Sequence, residues 1–364
     1  MKSAVVVVGS FVQDFAFYTQ GFPQPGETVV GDFRPGPGGK GFNQAIAAAR
    51  TGINTAFIGA VGPDGAAHRI RPFARAAGLH AHFIEKPKHA TGTAVITVNA
   101  AGQNHIIISL GANLGLKPRD IAPALLAPAQ VVVCQGESDY ATVGHVLRTA
   151  RRNGAITVLN PAPMRPEFDP AVLRHTEVLI PNESEFVALV QQCPSCAALL
   201  RTAPYNAGGA FTTATLHALT AEALHRLCRC LKVPVVIITL GARGCFVSQP
   251  DVWLRIHAHD VEVVDTAGAG DAFVGGFAAG LVKFKHNIFE AAHYASADDL
   301  RADLLALRPT AAVRPAASFA RLASSPASRA RAASSVGASG MTSFLVIRCE
   351  RACNRRRDHA RLRR

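Results

Sequence analysis

The chain has 364 residues, 49% of them apolar, and a formal net charge of +13. That length suits two small domains or one large α/β domain, with enough apolar side chains to fill a core. The charge does not point to nucleic acid, because fourteen Arg, no Lys and five acids crowd into residues 296–364 and leave the remainder nearly balanced. No apolar run approaches the ~20 residues needed to span a bilayer, and the Val run after Met1-Lys2 is too short for the core of an export signal. A cytoplasmic protein without membrane or nucleic-acid partners is expected.

In chain order, residues 4–9 are a continuous Val run and predict a buried parallel strand. Residues 26–30 predict a second short strand after a Pro/Gly turn. Gly38-Gly39-Lys40-Gly41 leads into an Ala-rich helix over 43–50, closed by Gly52. Residues 55–61 predict a strand and 66–77 a helix. The segments 93–98 and 105–108 flank Ala101-Gly102-Gln103-Asn104 and predict a hairpin. Strand signals recur at 131–134, 157–159, 178–180, 235–240 and 244–247, with helical stretches between most of them. Alternating strands and helices imply a doubly wound, mostly parallel sheet, on which ligands bind at the carboxyl ends of the strands. Residues 191–220, with Pro194, Pro204, Gly208 and Gly209, predict a surface insertion.

The eight cysteines predict free thiols in a chain of this length without an export signal. Cys193 and Cys196 with Cys228 and Cys230 offer a zinc reading, but the second pair is spaced CxC and no strong ligand set surrounds it.

Two motifs carry chemistry. In Asp265-Thr266-Ala267-Gly268-Ala269-Gly270-Asp271-Ala272-Phe273, a strand over 261–264 runs through small residues into an apolar helix over 272–282. Backbone N–H groups at a glycine-rich helix N-terminus form an anion site. An Asp at its mouth can take a proton from an attacking hydroxyl while the dipole stabilises the transferring phosphoryl group. The second motif is Gly38-Gly39-Lys40-Gly41-Phe42-Asn43. It lacks the spacing of a Walker A loop, yet Lys40 and Asn43 offer donors to sugar hydroxyls. Each has a plain structural alternative: a tight strand–helix turn for the first, a solvated loop for the second.

Together, in this order, the two motifs resemble the two signatures of the ribokinase family of carbohydrate kinases. Further similar strings are Gly9-Ser10 with Asp14, Pro23-Gln24-Pro25-Gly26-Glu27-Thr28, Gly111-Ala112-Asn113, Gln135-Gly136-Glu137, Asn160-Pro161-Ala162-Pro163, Pro181-Asn182-Glu183-Ser184-Glu185 and Thr239-Leu240-Gly241-Ala242-Arg243-Gly244. The resemblance covers residues 1–295. It implies a ribokinase-like three-layer α/β sandwich with a small β lid, about residues 13–35 and 92–110, that often pairs two subunits.

The activity it implies is ATP-dependent phosphorylation of the primary hydroxyl of a small sugar. Ribose leads, with another pentose, a ketohexose or a nucleoside, or a family member impaired in catalysis by its aberrant C-terminus, as alternatives. Asp271 is then the general base, with Gly268, Ala269 and Gly270 as the anion hole. Asp14, Gly39, Lys40, Asn43 and Glu137 bind the sugar. Asn182, Glu185, Thr239, Gly241, Arg243, Gly244 and Gly270 bind ATP with Mg²⁺. Asp265 and the Ala267 carbonyl belong to a site for K⁺. Asn182 has the alternative of a plain helix N-cap before Glu183 and Glu185.

Two departures stand out. Val12 occupies the place where the family's ribose enzymes put an Asn, two residues before the sugar-binding Asp, which removes one hydroxyl contact. After Ala295 the similarity stops. The Arg/Ala/Ser-rich residues 296–364, broken by Pro309, Pro315 and Pro326, predict a disordered tail or a frame-shifted one, with half the K⁺ site and one wall of the adenine pocket missing.

Overall fold

The computed structural model describes residues 3–127, 129–206, 209–258 and 268–296. The main sheet has nine strands in the order β13-β12-β11-β10-β9-β8-β1-β4-β5. These are β1 Val5–Val8, β4 Thr55–Val61, β5 Leu79–Glu85, β8 Val131–Gln135, β9 Ile156–Asn160, β10 Val178–Leu179, β11 Val235–Thr239, β12 Cys245–Gln249 and β13 Val252–Ile256. All neighbours are parallel except the β11–β12–β13 edge, which is antiparallel. The longer helices are α1 Lys40–Arg50, α2 Ala66–Ala76, α3 Tyr140–Arg152, α4 Glu183–Gln192, α5 Ala221–Cys230, α6 Ala269–Lys283 and α7 Ile288–Ser296.

The layering follows from strand alternation. Val5 and Val7 point into a core shared with Phe42, Ile46, Val274 and Phe277, from α1 and α6. Val6 and Val8 point into the opposite core, shared with Val146, Leu147, Phe186 and Leu227, from α3, α4 and α5. A strand covered on both faces has no polar side, which is why β1 reads as an unbroken Val run; each buried Val contributes about 1.5–3 kcal/mol. Among the described residues no helix is long and apolar enough to cross a membrane.

The second sheet has the order β3-β2-β6-β7, from β2 Val12–Tyr18, β3 Asp32–Gly38, β6 Gly92–Val98 and β7 Asn104–Ser109. Its β2 follows directly from the carboxyl end of β1 through Gly9–Phe11. Residues 26–30, expected as a strand, are not one; the strands of this region are β2 and β3. Pro35 and Pro37 hide β3 in the sequence, because proline cannot donate to a ladder. An edge strand tolerates them, and β3 is an edge.

Residues 191–220, expected at the surface, in fact supply Cys193, Cys196, Tyr205, Phe211 and Leu216 to the core. Tyr205 also donates its hydroxyl to the Ala223 carbonyl at 2.9 Å. The segment is built from short turns, so its buried residues follow no helical or strand period. The expected strand over 261–264 and nearly all of the tail, residues 297–364, lie outside the described residues.

Candidate active site

The site sits where the lid meets the carboxyl ends of β1, β8 and β9. Helix α1 begins at Lys40, after Gly39 at φ 90°, with no side-chain cap of its own. Its first N–H groups are satisfied from elsewhere. The Lys40 N–H donates to Glu137 Oε2 at 2.9 Å, and the Gly41 N–H donates to Ser10 Oγ at 3.2 Å. Ser10 donates its hydroxyl to the same Glu137 oxygen. Glu137 thus places its charge at the positive end of α1. Asn113 locks the preceding backbone, accepting from the Phe11 N–H at 3.0 Å and donating to the Phe11 carbonyl at 2.8 Å.

Asp271 lies in the first turn of α6 and is 8% exposed. Gly268, at φ 78°, caps that helix, and Gly268, Ala269 and Gly270 are exposed at its N-terminus. The N–H groups of a first turn have no partner within their helix. Both oxygens of Asp271 are held by α1. Asn43 Nδ2 donates to Oδ2 at 3.1 Å and Gln44 Nε2 donates to Oδ1 at 3.0 Å. The two helices meet through small residues, with Gly275, one turn beyond Asp271, lying against the backbone of Gln44 and Ala48.

Among the described residues four acids share this space with one lysine. Burial first, then the charges of Glu137 and Asp271, push the Asp14 carboxyl up to about 7. Burial likewise pushes Glu137 up, opposed by Ser10 and Lys40. Glu185 is raised by burial, opposed by the Asn182 N–H and by Lys40. Lys40 is pulled down by burial, but Asp271, Glu137 and Glu185 outweigh it and hold the ammonium above its usual range. Such a cluster of buried and half-buried carboxylates beside one ammonium suits a ligand bearing several hydroxyls.

Asn182 is the N-cap of α4. Its side chain accepts from the Glu185 N–H at 2.8 Å, and Glu185 accepts from the Asn182 N–H at 2.9 Å. This capping box fixes the Glu185 carboxylate where it feels Lys40 and Asp271. Thr239 bridges to Asn182 at the end of β11. In the turn that follows, Gly241 and Gly244 have φ 56° and 85°. A Cβ at Gly244 would fall 1.9 Å from the Ile256 carbonyl oxygen, so only glycine fits. Arg243 stands apart from the acid cluster, with its guanidinium on Glu183 Oε1 at 2.5 Å and on the His217 ring at 2.7 Å.

Of the residues expected from the sequence, Asp14, Gly39, Lys40, Asn43, Glu137, Glu185 and Asp271 therefore share one site. Asn182, Thr239, Gly241 and Gly244 border it. Asp265 and Ala267 lie outside the described residues. Sequence reasoning passed over Ser10 and Gln44 as site residues. Gln44 had a signal: it is four residues after Lys40, so helical spacing places both on one face of α1.

The chain belongs to the pfkB family of carbohydrate kinases, whose model matches residues 2–297. It is a sugar kinase, a phosphotransferase acting on an alcohol group. It is similar to the ribokinase of Mus musculus, with 38% identity over 282 residues, 76% of this chain and 81% of the mouse protein. It is 33% identical to the deoxyribokinase of Salmonella typhi over 278 residues, 75% of this chain and 84% of that one. Among solved structures it is similar to Arabidopsis thaliana ribokinase complexed with ribose and ATP. That match has a TM-score of 0.67 and 26% identity, and covers 84% of this chain and 99% of that one.

Proposed function

We propose that the enzyme transfers the γ-phosphoryl group of ATP to the primary hydroxyl of D-ribose, giving D-ribose 5-phosphate and ADP. The observation that carries this reading is the buried Asp271 carboxylate, held by α1 at the N-terminus of α6 and facing the Lys40–Glu137–Asp14 group. Asp271 takes the hydroxyl proton as the sugar oxygen bonds to phosphorus and the bond to ADP breaks, a role worth roughly 10²–10⁴-fold in rate. Gly268, Ala269 and Gly270 direct their N–H groups at the transferring phosphoryl oxygens. Asp14, Gly39, Lys40, Asn43 and Glu137 bind the sugar hydroxyls, and Asn182, Glu185, Thr239, Gly241, Arg243 and Gly244 border the nucleotide.

Mg²⁺ fits the donor set, because Glu185 offers a half-buried carboxylate beside the phosphate path, and one or two carboxylates with phosphate oxygens are what Mg²⁺ takes. When bound, it neutralises phosphate charge. Asp265 and Ala267 remain the proposed K⁺ ligands. The proposed kinase body is residues 1–295, close to the family match over residues 2–297. No nucleic-acid or membrane partner enters this reading, which places the enzyme in the cytoplasm.

Alternation puts Phe15, Phe17, Phe33, Val95 and Ile107 on one face of the lid, the face opposite Asp14. Phe33 stacks on Phe15 at 5.7 Å and lies 5.0 Å from Phe17. Much of this face is exposed. We propose that a second copy of the chain covers it, and light scattering should give the dimer mass.

A second reading is favoured by Val12, which is buried and apolar beside the sugar site. Without a polar group there, the enzyme accepts 2-deoxyribose with little penalty, as the Salmonella relative's name suggests. An ADP-release assay over ribose, 2-deoxyribose, arabinose, fructose and adenosine tests both readings. The highest kcat/KM is expected with ribose, and a nucleoside as best substrate would overturn the reading.

A further inference from the structure

Behind Asp271 runs a chain of buried carboxamides whose orientation is fixed from one end. Asn160 Nδ2 donates to the Ile180 carbonyl at 2.7 Å. A backbone carbonyl only accepts, so the Asn160 oxygen must face the other way, where it accepts from Gln44 Nε2 at 3.0 Å. The second N–H of the same nitrogen reaches Asp271 Oδ1 at 3.0 Å. Gln44 Oε1 in turn accepts from Gln135 Nε2 at 2.7 Å. Gln44 is fully buried and every hydrogen-bonding atom of its amide has a partner.

The chain ends at a cost. Among the described residues Gln135 Oε1 is buried without a partner. It lies against the backbone of Gly9 and Gly41, where an added Cβ would fall 1.8 Å and 2.8 Å from it. An amide turned the other way would put its oxygen on Gln44 Oε1, two acceptors face to face, so the orphaned oxygen is what the orientation of Gln44 requires.

We propose that Gln44 is a positioning residue for the Asp271 base, oriented by Asn160 and Gln135. It acts by presenting only an N–H to Oδ1, which keeps that oxygen an acceptor and leaves Oδ2 to take the proton. Among the described residues Oδ2 has a single hydrogen-bond donor, the half-buried Asn43. A proton on Oδ1 would meet a donor, so the chain keeps that oxygen an acceptor and fixes the plane of the carboxylate before sugar arrives. The role rests on the reading of Asp271 as the base.

The test is steady-state kinetics over pH on Gln44→Met, Gln44→Glu and Gln135→Met, with Asp271→Asn measured beside them. Gln44→Met should lower kcat by about 10–100-fold while KM for sugar and ATP moves by less than about threefold. Gln44→Glu should shift the acid limb of the kcat profile to higher pH, because a second carboxylate beside Asp271 disfavours its ionised form. Gln135→Met, out of contact with Asp271, should lower kcat in the same direction by freeing the Gln44 amide to turn. It carries the test if Gln44→Met does not fold. Folded Gln44→Met or Gln135→Met with wild-type kcat and pH profile, alongside inactive Asp271→Asn, overturns the positioning role alone. Active Asp271→Asn overturns the base itself.

Discussion

Gly275→Ala probes the junction on which the site depends. A Cβ at Gly275 would lie 2.3 Å from the Gln44 carbonyl oxygen, 2.7 Å from Ala47 Cβ and 3.0 Å from the Ala48 nitrogen. Ordinary contact begins near 3.4 Å, and two of these three are backbone atoms that cannot rotate away. Helices α1 and α6 must therefore part by about an ångström. Alanine gains up to about 1 kcal/mol over glycine in a helix, but overpacking costs about 1–3 kcal/mol, and a clash this close to backbone belongs at the upper end. The net loss of about 1–2 kcal/mol lowers Tm by about 2–4 °C per kcal/mol. The same separation stretches the 3.0 and 3.1 Å bonds from Gln44 and Asn43 to Asp271 beyond hydrogen-bonding range. A misplacement of that size costs about 10²-fold in turnover.

Urea denaturation and kcat on the same preparation measure both effects. Gly280→Ala is the control, since its Cβ would sit 3.0 Å from Ala291 on α7, away from the site; it should lose some stability and keep its kcat. Unchanged kcat in Gly275→Ala, or equal loss in the Gly280 variant, would refute the dependence of the base on this helix contact.

Asp271→Asn should lose roughly 10²–10⁴-fold in kcat with an unchanged circular dichroism spectrum, and near wild-type turnover would exclude it as the base. Lys40→Ala and Asp14→Ala should raise KM for sugar far more than for ATP, and equal losses would contradict the assignment of both to the sugar. Asp14, raised from 3.8 to about 7, is neutral in the free enzyme at acid pH, so kcat/KM for sugar should climb as pH rises through about 7, and Asp14→Asn should flatten that climb. The linked stability has the opposite slope: the raised Asp14 contributes stability fully below 3.8 and loses it as pH rises through about 7, so Asp14→Asn should be more stabilising at pH 8 than at pH 5, read from urea midpoints. Gly38→Ala would place a Cβ 2.1 Å from the Asp14 carboxylate; it should weaken sugar binding with little change in KM for ATP, and unaffected sugar KM would remove Asp14 from the contact.

The sequence by itself determined the layers and the ends of the site. The Val run of β1, the alternation of strands and helices, and the glycine-rich turns before Lys40 and Asp271 are local signals, each carried by neighbouring residues. They place the motifs at strand carboxyl ends without any knowledge of the packing. β3 was not legible, because its prolines argue against a strand until its place at a sheet edge is known. Nor was the burial of Tyr205 and Phe211, which follow no period. Ser10, quoted only as part of the Gly9-Ser10 string, and Gln44 look ordinary in the chain. Their importance comes from partners 127 and 227 positions away, Glu137 and Asp271. The rise of Asp14 to about 7 likewise needs Glu137 and Asp271 brought beside it out of water. Local sequence sets backbone geometry and which faces are apolar, whereas hydrogen-bond polarity and shared electric fields arise only where distant segments meet, as α1 meets α6 at Asp271 and the end of β8 at Glu137.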